Sequence, residues 1–339
     1  MAERILITGG AGFVGSHLVA LLREQGAEIT VVDNLRQGHR AALPPSIELV
    51  VEDVANFDAM DAVMAGREWH AVIHFAALSL VGESMQRPMR YLRENAAGGF
   101  ALIDVALRHR VKRFILSSTA SLFGQPDQVP IGEDAPLRPS SPYGESKLMI
   151  ERALHWAGKL HGLNYACLRY FNAAGADPGG RLGEDHDPET HLIPLVIDAA
   201  LGRRDAVEVF GTDYPTRDGT CIRDYIHVTD LADAHLLALG QLDRRSVTYN
   251  LGNGLGHSVQ EVIAAVEAVS GLRVPVRHGA RRPGDPAVLV ASSDLIRADT
   301  GWSPRYAALE DIVRSAFAWR VAHPDGYGDR VACVAATAR

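Results

Sequence analysis

Residues 4–15, Arg4-Ile5-Leu6-Ile7-Thr8-Gly9-Gly10-Ala11-Gly12-Phe13-Val14-Gly15, decide the fold. A short apolar run suited to a buried strand meets glycines at 9, 12 and 15, and a helical pattern follows. Gly9, Gly12 and Gly15 allow a tight turn whose backbone can approach a pyrophosphate, an anion that the positive end of the following helix attracts. The next apolar run ends in Val31-Val32-Asp33-Asn34. Asp33 lies 18 residues after Gly15, where a carboxylate can accept hydrogen bonds from an adenosine ribose and repel a 2′-phosphate. The expected cofactor is therefore NAD rather than NADP, with Arg36 as a contrary charge.

Outward from this turn, apolar runs at 4–8, 29–33, 71–75, 114–117 and 166–170 alternate with helical stretches. That alternation predicts successive βαβ units and a parallel sheet covered on both faces. Between 173 and 224 the pattern loosens into Gly, Pro, Asp and His, as in a ligand-facing lobe. Helices are expected again near 259–270 and 309–321. The fold class is α/β: a doubly wound, Rossmann-like parallel-sheet NAD domain with a smaller mixed α/β substrate-binding lobe. The NAD domain is expected over 1–172, with a return of the chain near 224–254, and the lobe mainly over 173–339.

A chain of 339 residues with 47% hydrophobic and 22% charged residues can bury a sizeable core. The formal charge of -7 argues against a nucleic-acid or anionic-membrane surface, each of which needs a basic footprint. Cys167, Cys221 and Cys333 are too scattered for a disulfide framework and suggest a reducing compartment. No charged-then-apolar leader precedes the first strand, and no run reaches the ~18 apolar residues of a membrane span. A cytoplasmic location is expected.

Ser141-Pro142-Tyr143-Gly144-Glu145-Ser146-Lys147 reads as a helix start, with Ser141 as N-cap and Pro142 at the first position. Tyr143 and Lys147 then share one face. Lysine occurs only at 112, 147 and 159, so Lys147 stands out in a chain that otherwise uses arginine. Its ammonium can reach both a ribose hydroxyl and a phenol, and a nearby positive charge is expected to lower the Tyr143 pKa so that Tyr143 acts as general base. Thr119, after the 114–117 run, can hold a substrate oxygen and relay its proton. His70 and His74 have the spacing of a zinc-binding helix, but His70-Ala71-Val72-Ile73-His74 reads as a strand, and no metal is expected there.

These motifs, together with Asp33-Asn34-Leu35, His74-Phe75-Ala76-Ala77, Val81-Gly82-Glu83-Ser84 and Arg169-Tyr170-Phe171-Asn172, resemble the extended short-chain dehydrogenase/reductase family across nearly the whole chain. Gly183-Glu184-Asp185, the 210–215 and 218–228 segments and Arg281-Arg282-Pro283-Gly284-Asp285 select its UDP-sugar 4-epimerase branch. The resemblance implies a homodimeric enzyme with tightly bound NAD that interconverts UDP-glucose and UDP-galactose through a transient 4-keto sugar. Another UDP-sugar 4-epimerase, acting on N-acetylhexosamine, pentose or glucuronate, is the alternative. A 4,6-dehydratase is disfavoured because Ala120-Ser121, not Asp-Glu, follow Thr119. A non-catalytic NAD sensor would not need the Tyr-Lys pair.

By the same resemblance Thr119, Tyr143 and Lys147 are catalytic. Gly9, Gly12, Phe13, Val14, Gly15, Asp33, Asn34, Asp53, Val54, Phe75, Ala76, Ala77, Asn95, Tyr143, Lys147 and Phe171 line the NAD site. Thr119, Tyr143, Asn172, Leu192, Phe210, Arg223, Tyr225, Arg282 and Asp285 face the UDP-sugar, and Leu289 either borders the sugar or continues the apolar run 288–290 into a core. Two arginines beside a diphosphate make physical sense. Ser79, Phe123, His191 and Thr119 depart from some family members without removing a required chemical group.

Overall fold

The structure, a computed structural model, describes residues 3–282 and 285–329. Cys333, Pro283, Gly284 and the end of the 173–339 span lie outside the described residues.

The alternating apolar runs assemble into a seven-stranded sheet among the described residues. Its strands are β1 (Arg4–Thr8), β2 (Glu28–Asp33), β3 (Glu48–Val51), β4 (Ala71–His74), β5 (Arg113–Thr119), β6 (Asn164–Tyr170) and an edge strand, Val247–Leu251. The order runs β3-β2-β1-β4-β5-β6 and then Val247–Leu251, and every pairing is parallel. All seven residues of β5 are buried, as a strand covered on both faces requires. The order in which successive strands are added reverses between β1 and β4, which opens a crevice at their carboxyl ends. The short edge strand β3 was not among the expected runs.

α1 (Phe13–Glu24) covers one face together with the later helix Val228–Gln241. Leu18 and Leu22 from the first, and Leu231 and Leu239 from the second, share one core with Ile5, Ile7 and Ile115 of the sheet. α2 (Phe57–Met64), the short α3 (Val81–Gln86) and α4 (Pro88–Tyr91), α5 (Gly98–Arg108) and α6 (Pro142–His161) follow in order. Of these, α2, α5 and α6 cover the opposite face, where Met60, Leu102 and Ile150 join Leu6, Val72 and Phe114.

A third core belongs to the lobe and joins the helices Leu192–Ala200, Val259–Ser270 and Leu309–Ala322 through Val196, Ile197, Val262, Val266, Ile312 and Val313. The first of these helices lies inside the stretch expected to be loose, because its apolar positions pack on the other two. Ser258 and Glu261 form a reciprocal capping box at the start of Val259–Ser270, and Gly271, at φ 69°, ends it. Sheet and lobe meet at a one-residue joint: β6 ends at Tyr170, and Asn172–Ala174 already pairs in parallel with Tyr225–His227. Among the described residues no helix is long and apolar enough to cross a membrane.

Candidate active site

Glycine is required at two of the three turn positions. A Cβ on Gly9, whose φ is +72°, would lie 2.4 Å from the Ala76 nitrogen, and one on Gly15 would lie 2.3 Å from the Gly9 carbonyl oxygen. Gly12 differs: its φ of -79° suits any residue, and an added Cβ meets only the Gly9 oxygen, at 3.3 Å. Gly12 is the N-cap of α1, with no side-chain cap, so the first-turn N–H groups around Phe13 and Val14 face outward for an anion. Gly12→Ala is accordingly expected to fold with a near-native Tm while losing bound dinucleotide, as read by the absorbance released on denaturation. Full dinucleotide retention would count against this assignment.

The other expected cofactor residues line the carboxyl edge of the sheet. Asp33 ends β2, and its two carboxylate oxygens accept the Ala11 and Leu35 N–H groups at 3.0 and 2.9 Å. Burial raises its pKa against these bonds. Asn34 donates to Asp53 at 3.1 Å, and Val54 is buried beside them. Arg36 is paired with Asp53 at 3.4 Å and Glu94 at 2.8 Å, so its charge is already matched by two carboxylates. Phe75 and Ala76 leave β4 with their N–H groups on the Thr8 oxygen, and Ala77 is exposed. Asn95 lies in a π-helical segment, Leu92–Ala97, and clamps Leu78 through both its N–H and its carbonyl while donating to Ser146 at 3.1 Å. A π-bulge at such a position often marks a functional site.

Thr119 ends β5, while Ser141 caps α6 by accepting the Gly144 N–H at 3.2 Å. Tyr143 therefore begins the helix directly beside Thr119. Ser121 N–H donates to Thr119 Oγ1 at 3.1 Å, which leaves the threonine hydroxyl to hydrogen-bond the Tyr143 phenol. Lys147, 1% exposed, donates from Nζ to the Ser117 carbonyl at 2.8 Å. Burial lowers its pKa to about 8, opposed by Glu151 one turn on. The expectation that Lys147 lowers the phenol pKa is corrected here: burial raises Tyr143, Thr119 opposes that shift, and the lysine faces a backbone carbonyl.

The sequence reading missed what lies beneath this lysine. Glu151 takes a two-pronged ion pair from Arg169, at 3.0 and 2.6 Å, and a hydrogen bond from Ser118 at 2.6 Å. The i, i+4 spacing of Lys147 and Glu151, with Arg169 in the quoted 169–172 motif, was the available signal.

The expected substrate residues fall into groups. Arg223 pairs with Asp285, and its register partner in the parallel strand Val288–Leu289 is Leu289. Leu289 is half-buried against a small cluster of Ala120, Phe123 and Ile131 that also touches Phe171, so it borders the Thr119 turn and packs on apolar neighbours at once. Arg282 lays its guanidinium over Phe210 at 4.0 Å, whereas Arg281 is held by Asp213 at 2.6 Å. Asn172 donates to the Asp224 carbonyl at 2.7 Å. Tyr225 and Leu192 are not brought to an open surface in the same way: Tyr225 is a buried member of the lobe core, and Leu192 packs against it.

The profile of the NAD dependent epimerase/dehydratase family matches residues 5–252. A UDP-glucose 4-epimerase of Halalkalibacterium halodurans is 50% identical over 325 residues, 95% of this chain and 97% of that one. The chain belongs to the NAD dependent epimerase/dehydratase family. A UDP-glucose 4-epimerase of Brucella ovis, solved in complex with NAD, superposes with a TM-score of 0.90 at 44% identity, covering 94% of this chain and 98% of that chain. One from Bifidobacterium longum, in complex with NAD+ and UDP, gives 0.91 at 36% identity, covering 96% and 100%.

NAD is the cofactor of this family, and the residues present fit it: a turn closed to any side chain at Gly9 and Gly15, a steric opening at Gly12 above an uncapped helix, and the backbone-held carboxylate of Asp33.

Proposed function

We propose that the protein interconverts UDP-galactose and UDP-glucose, as a UDP-glucose 4-epimerase does. The observation that carries this reading is the contact between Thr119 and Tyr143, one helical turn from the buried Lys147, at the carboxyl edge of the sheet. NAD would supply a hydride acceptor that returns the hydride to the opposite face of the sugar. Tyr143, as phenolate, takes the proton of the 4-hydroxyl, and Thr119 holds that oxygen and relays the proton. Lys147 would hold the cofactor ribose, and Thr119 is the group that eases formation of the phenolate. Arg223 and Arg282 hold the diphosphate, with Asp285 setting the angle of Arg223 and Phe210 supporting Arg282 from below. Asn172 completes the uridine side, and Leu192 and Tyr225 support it from the lobe core.

Firm binding of UDP with a loosely held sugar allows the ketose to turn over between the two hydride transfers. Incubation with UDP-galactose tests the reading: UDP-glucose is expected, with no net use of NAD. A 4-keto-6-deoxy product would instead assign a dehydratase, and no conversion would assign a sensor.

Leu289 sets the sugar range. Some epimerases that the chain resembles carry a tyrosine at this position that crowds the sugar, and those with a residue as small as serine admit 2-acetamido sugars. Leucine lies between, so the main substrates are UDP-glucose and UDP-galactose, with slower turnover of the N-acetylated pair. Leu289→Tyr is expected to depress the N-acetyl activity selectively. An equal fall in both activities, with a lower Tm, would show that the residue serves only the apolar cluster.

Residues 1–172 with 224–254 form the NAD domain and most of 173–339 the substrate lobe, in keeping with separate hydrophobic cores. The enzyme works in the cytoplasm, consistent with the free thiols of Cys167 and Cys221. It forms a homodimer through α5 and α6, which expose Phe100, Trp156 and Leu160 on one groove. Sedimentation of the wild type against Trp156→Glu checks the last point, the variant being expected to run as a monomer.

A further inference from the structure

Four side chains of the loop before the helix Leu192–Ala200 converge on one point. Glu184, His186, Glu189 and His191 each offer one ligand atom within 4.8 Å of the others. Glu184 Oε1 is the hub, 2.6 Å from His191 Nδ1 and 3.2 Å from His186 Nδ1. Glu189 lies 3.4 Å from His191 Nδ1 and 3.7 Å from His186 Nδ1 through its two oxygens. None of the four belongs to the Tyr143 site.

The His–Glu approaches are ion pairs that leave several of the atoms without a well-aligned hydrogen bond. Glu184 Oε1, His186 Nδ1 and Glu189 Oε2 are buried and without a hydrogen-bond partner, and the Glu184 side chain is only 6% exposed. Buried polar atoms left unsatisfied are costly, and several of them in one place call for an explanation. Here the four ligand atoms converge within 4.8 Å, so one cation could take the place of the ion pairs among them. A tetrahedral zinc ion with ligands at about 2.0–2.2 Å would hold donors about 3.3–3.6 Å apart, within the spread seen.

We propose that Glu184, His186, Glu189 and His191 form a structural divalent-metal site that takes zinc. Two imidazoles with two carboxylates suit a borderline metal better than calcium or magnesium, which favour all-oxygen shells. The two carboxylates also balance the ion's charge. His191, 47% exposed, provides the entry path. The loop is well placed for such a tie: His186 meets the ring of Phe13 edge-on at 6.3 Å, Gln37 exchanges two hydrogen bonds with the Asp187 backbone at 2.6 and 3.2 Å, and Leu192 begins the lobe helix directly after His191. An ion here fastens the lobe to the first turn of α1.

The test needs no sugar turnover, so it stands apart from the proposed activity. Tag-free full-length protein is stripped with a chelator, dialysed against zinc chloride and its metal counted by mass spectrometry. About one zinc per chain is expected, with a rise in Tm, and His191→Ala combined with Glu189→Gln should lose both while keeping the wild-type circular dichroism. Cobalt(II) in place of zinc should give the intense visible bands of a four-coordinate site in the wild type alone. Zinc retention no greater in the wild type than in the double variant would overturn the proposal, as would a sulfur-to-cobalt charge-transfer band, which would move the ion to a cysteine. If the double variant does not fold, the cobalt spectrum of the wild type decides: weak six-coordinate bands overturn the site.

Discussion

Tyr143→Phe lowers turnover by about 100- to 10,000-fold, the range for losing general-base catalysis, with little change in fold or in UDP affinity. Only a hydroxyl is deleted, and the phenol's hydrogen-bond partner, Thr119, retains Ser121 N–H as a second contact. The measurement is kcat on UDP-galactose beside UDP binding by calorimetry. Near-normal turnover would sink the assignment. Lys147→Met is a useful companion, because it should reduce both rate and cofactor retention, whereas the tyrosine variant should keep its dinucleotide.

Glu151→Gln is expected to destabilise the protein by about 3–5 kcal/mol, the cost of leaving a buried charge without its partner. Both side chains of its ion pair with Arg169 are nearly inaccessible, so water cannot take the place of the lost carboxylate. Denaturant unfolding measures the effect. Replacing both partners, as Glu151→Leu with Arg169→Met, should recover most of the loss, since apolar pairs often match buried ion pairs in stability.

The same substitution has a second readout. Burial holds the Lys147 pKa at about 8, below the ordinary 10.5, and Glu151 is the charge that resists this. Because the unfolded chain binds more protons than the native one between those values, the lysine's contribution to stability rises with pH through that window. Removing Glu151 lowers the native pKa further, so cofactor retention in Glu151→Gln should fail at a lower pH than in the wild type. A pH profile of dinucleotide retention that did not move would show that Glu151 acts on packing alone.

Local signals made much of this legible from the residues. The strand, glycine turn and helix at 4–24 follow from steric needs acting within a few positions, and the helix Val259–Ser270 is bracketed by Ser258, Glu261 and Gly271, each a cap with its own chemistry. Ser141 and Pro142 place Tyr143 at a helix start, hence Lys147 one turn later. What stayed hidden depends on partners distant in sequence. β3 is short and half-exposed, so its pattern is weak until β2 lies beside it. The lobe strands of two to four residues exist only because Val207–Phe210 meets Val276–Gly279 and Ile222–Arg223 meets Val288–Leu289. The rise in the Tyr143 pKa comes from burial, which spacing on one helix cannot convey. The Glu-x-His-x-x-Glu-x-His spacing of 184–191 was legible in the sequence, whereas the zinc-like spacing of His70 and His74 falls at and just before β4, where His74 Nδ1 bonds Thr8 at 2.7 Å and His70 Nδ1 accepts the Arg4 N–H at 3.0 Å.

The order in which the sheet is completed has a consequence for biosynthesis. Val247–Leu251 caps the edge at β6, and Val228–Gln241 covers the face shared with α1. Both leave the ribosome only after the first stretch of the lobe, 173–223, has been made. At about 5–20 residues per second, the interval from the end of β6 to Leu251 lasts roughly 4–16 s. Throughout it the nascent chain carries an unpaired β6 edge and an uncovered apolar face including Ile5, Ile7 and Ile115, the features that invite aggregation. A fragment ending at residue 172 should therefore be insoluble or chaperone-bound, and the sheet should gain protease resistance only after residue 251 has emerged, with the lobe following once Leu309–Ala322 is made.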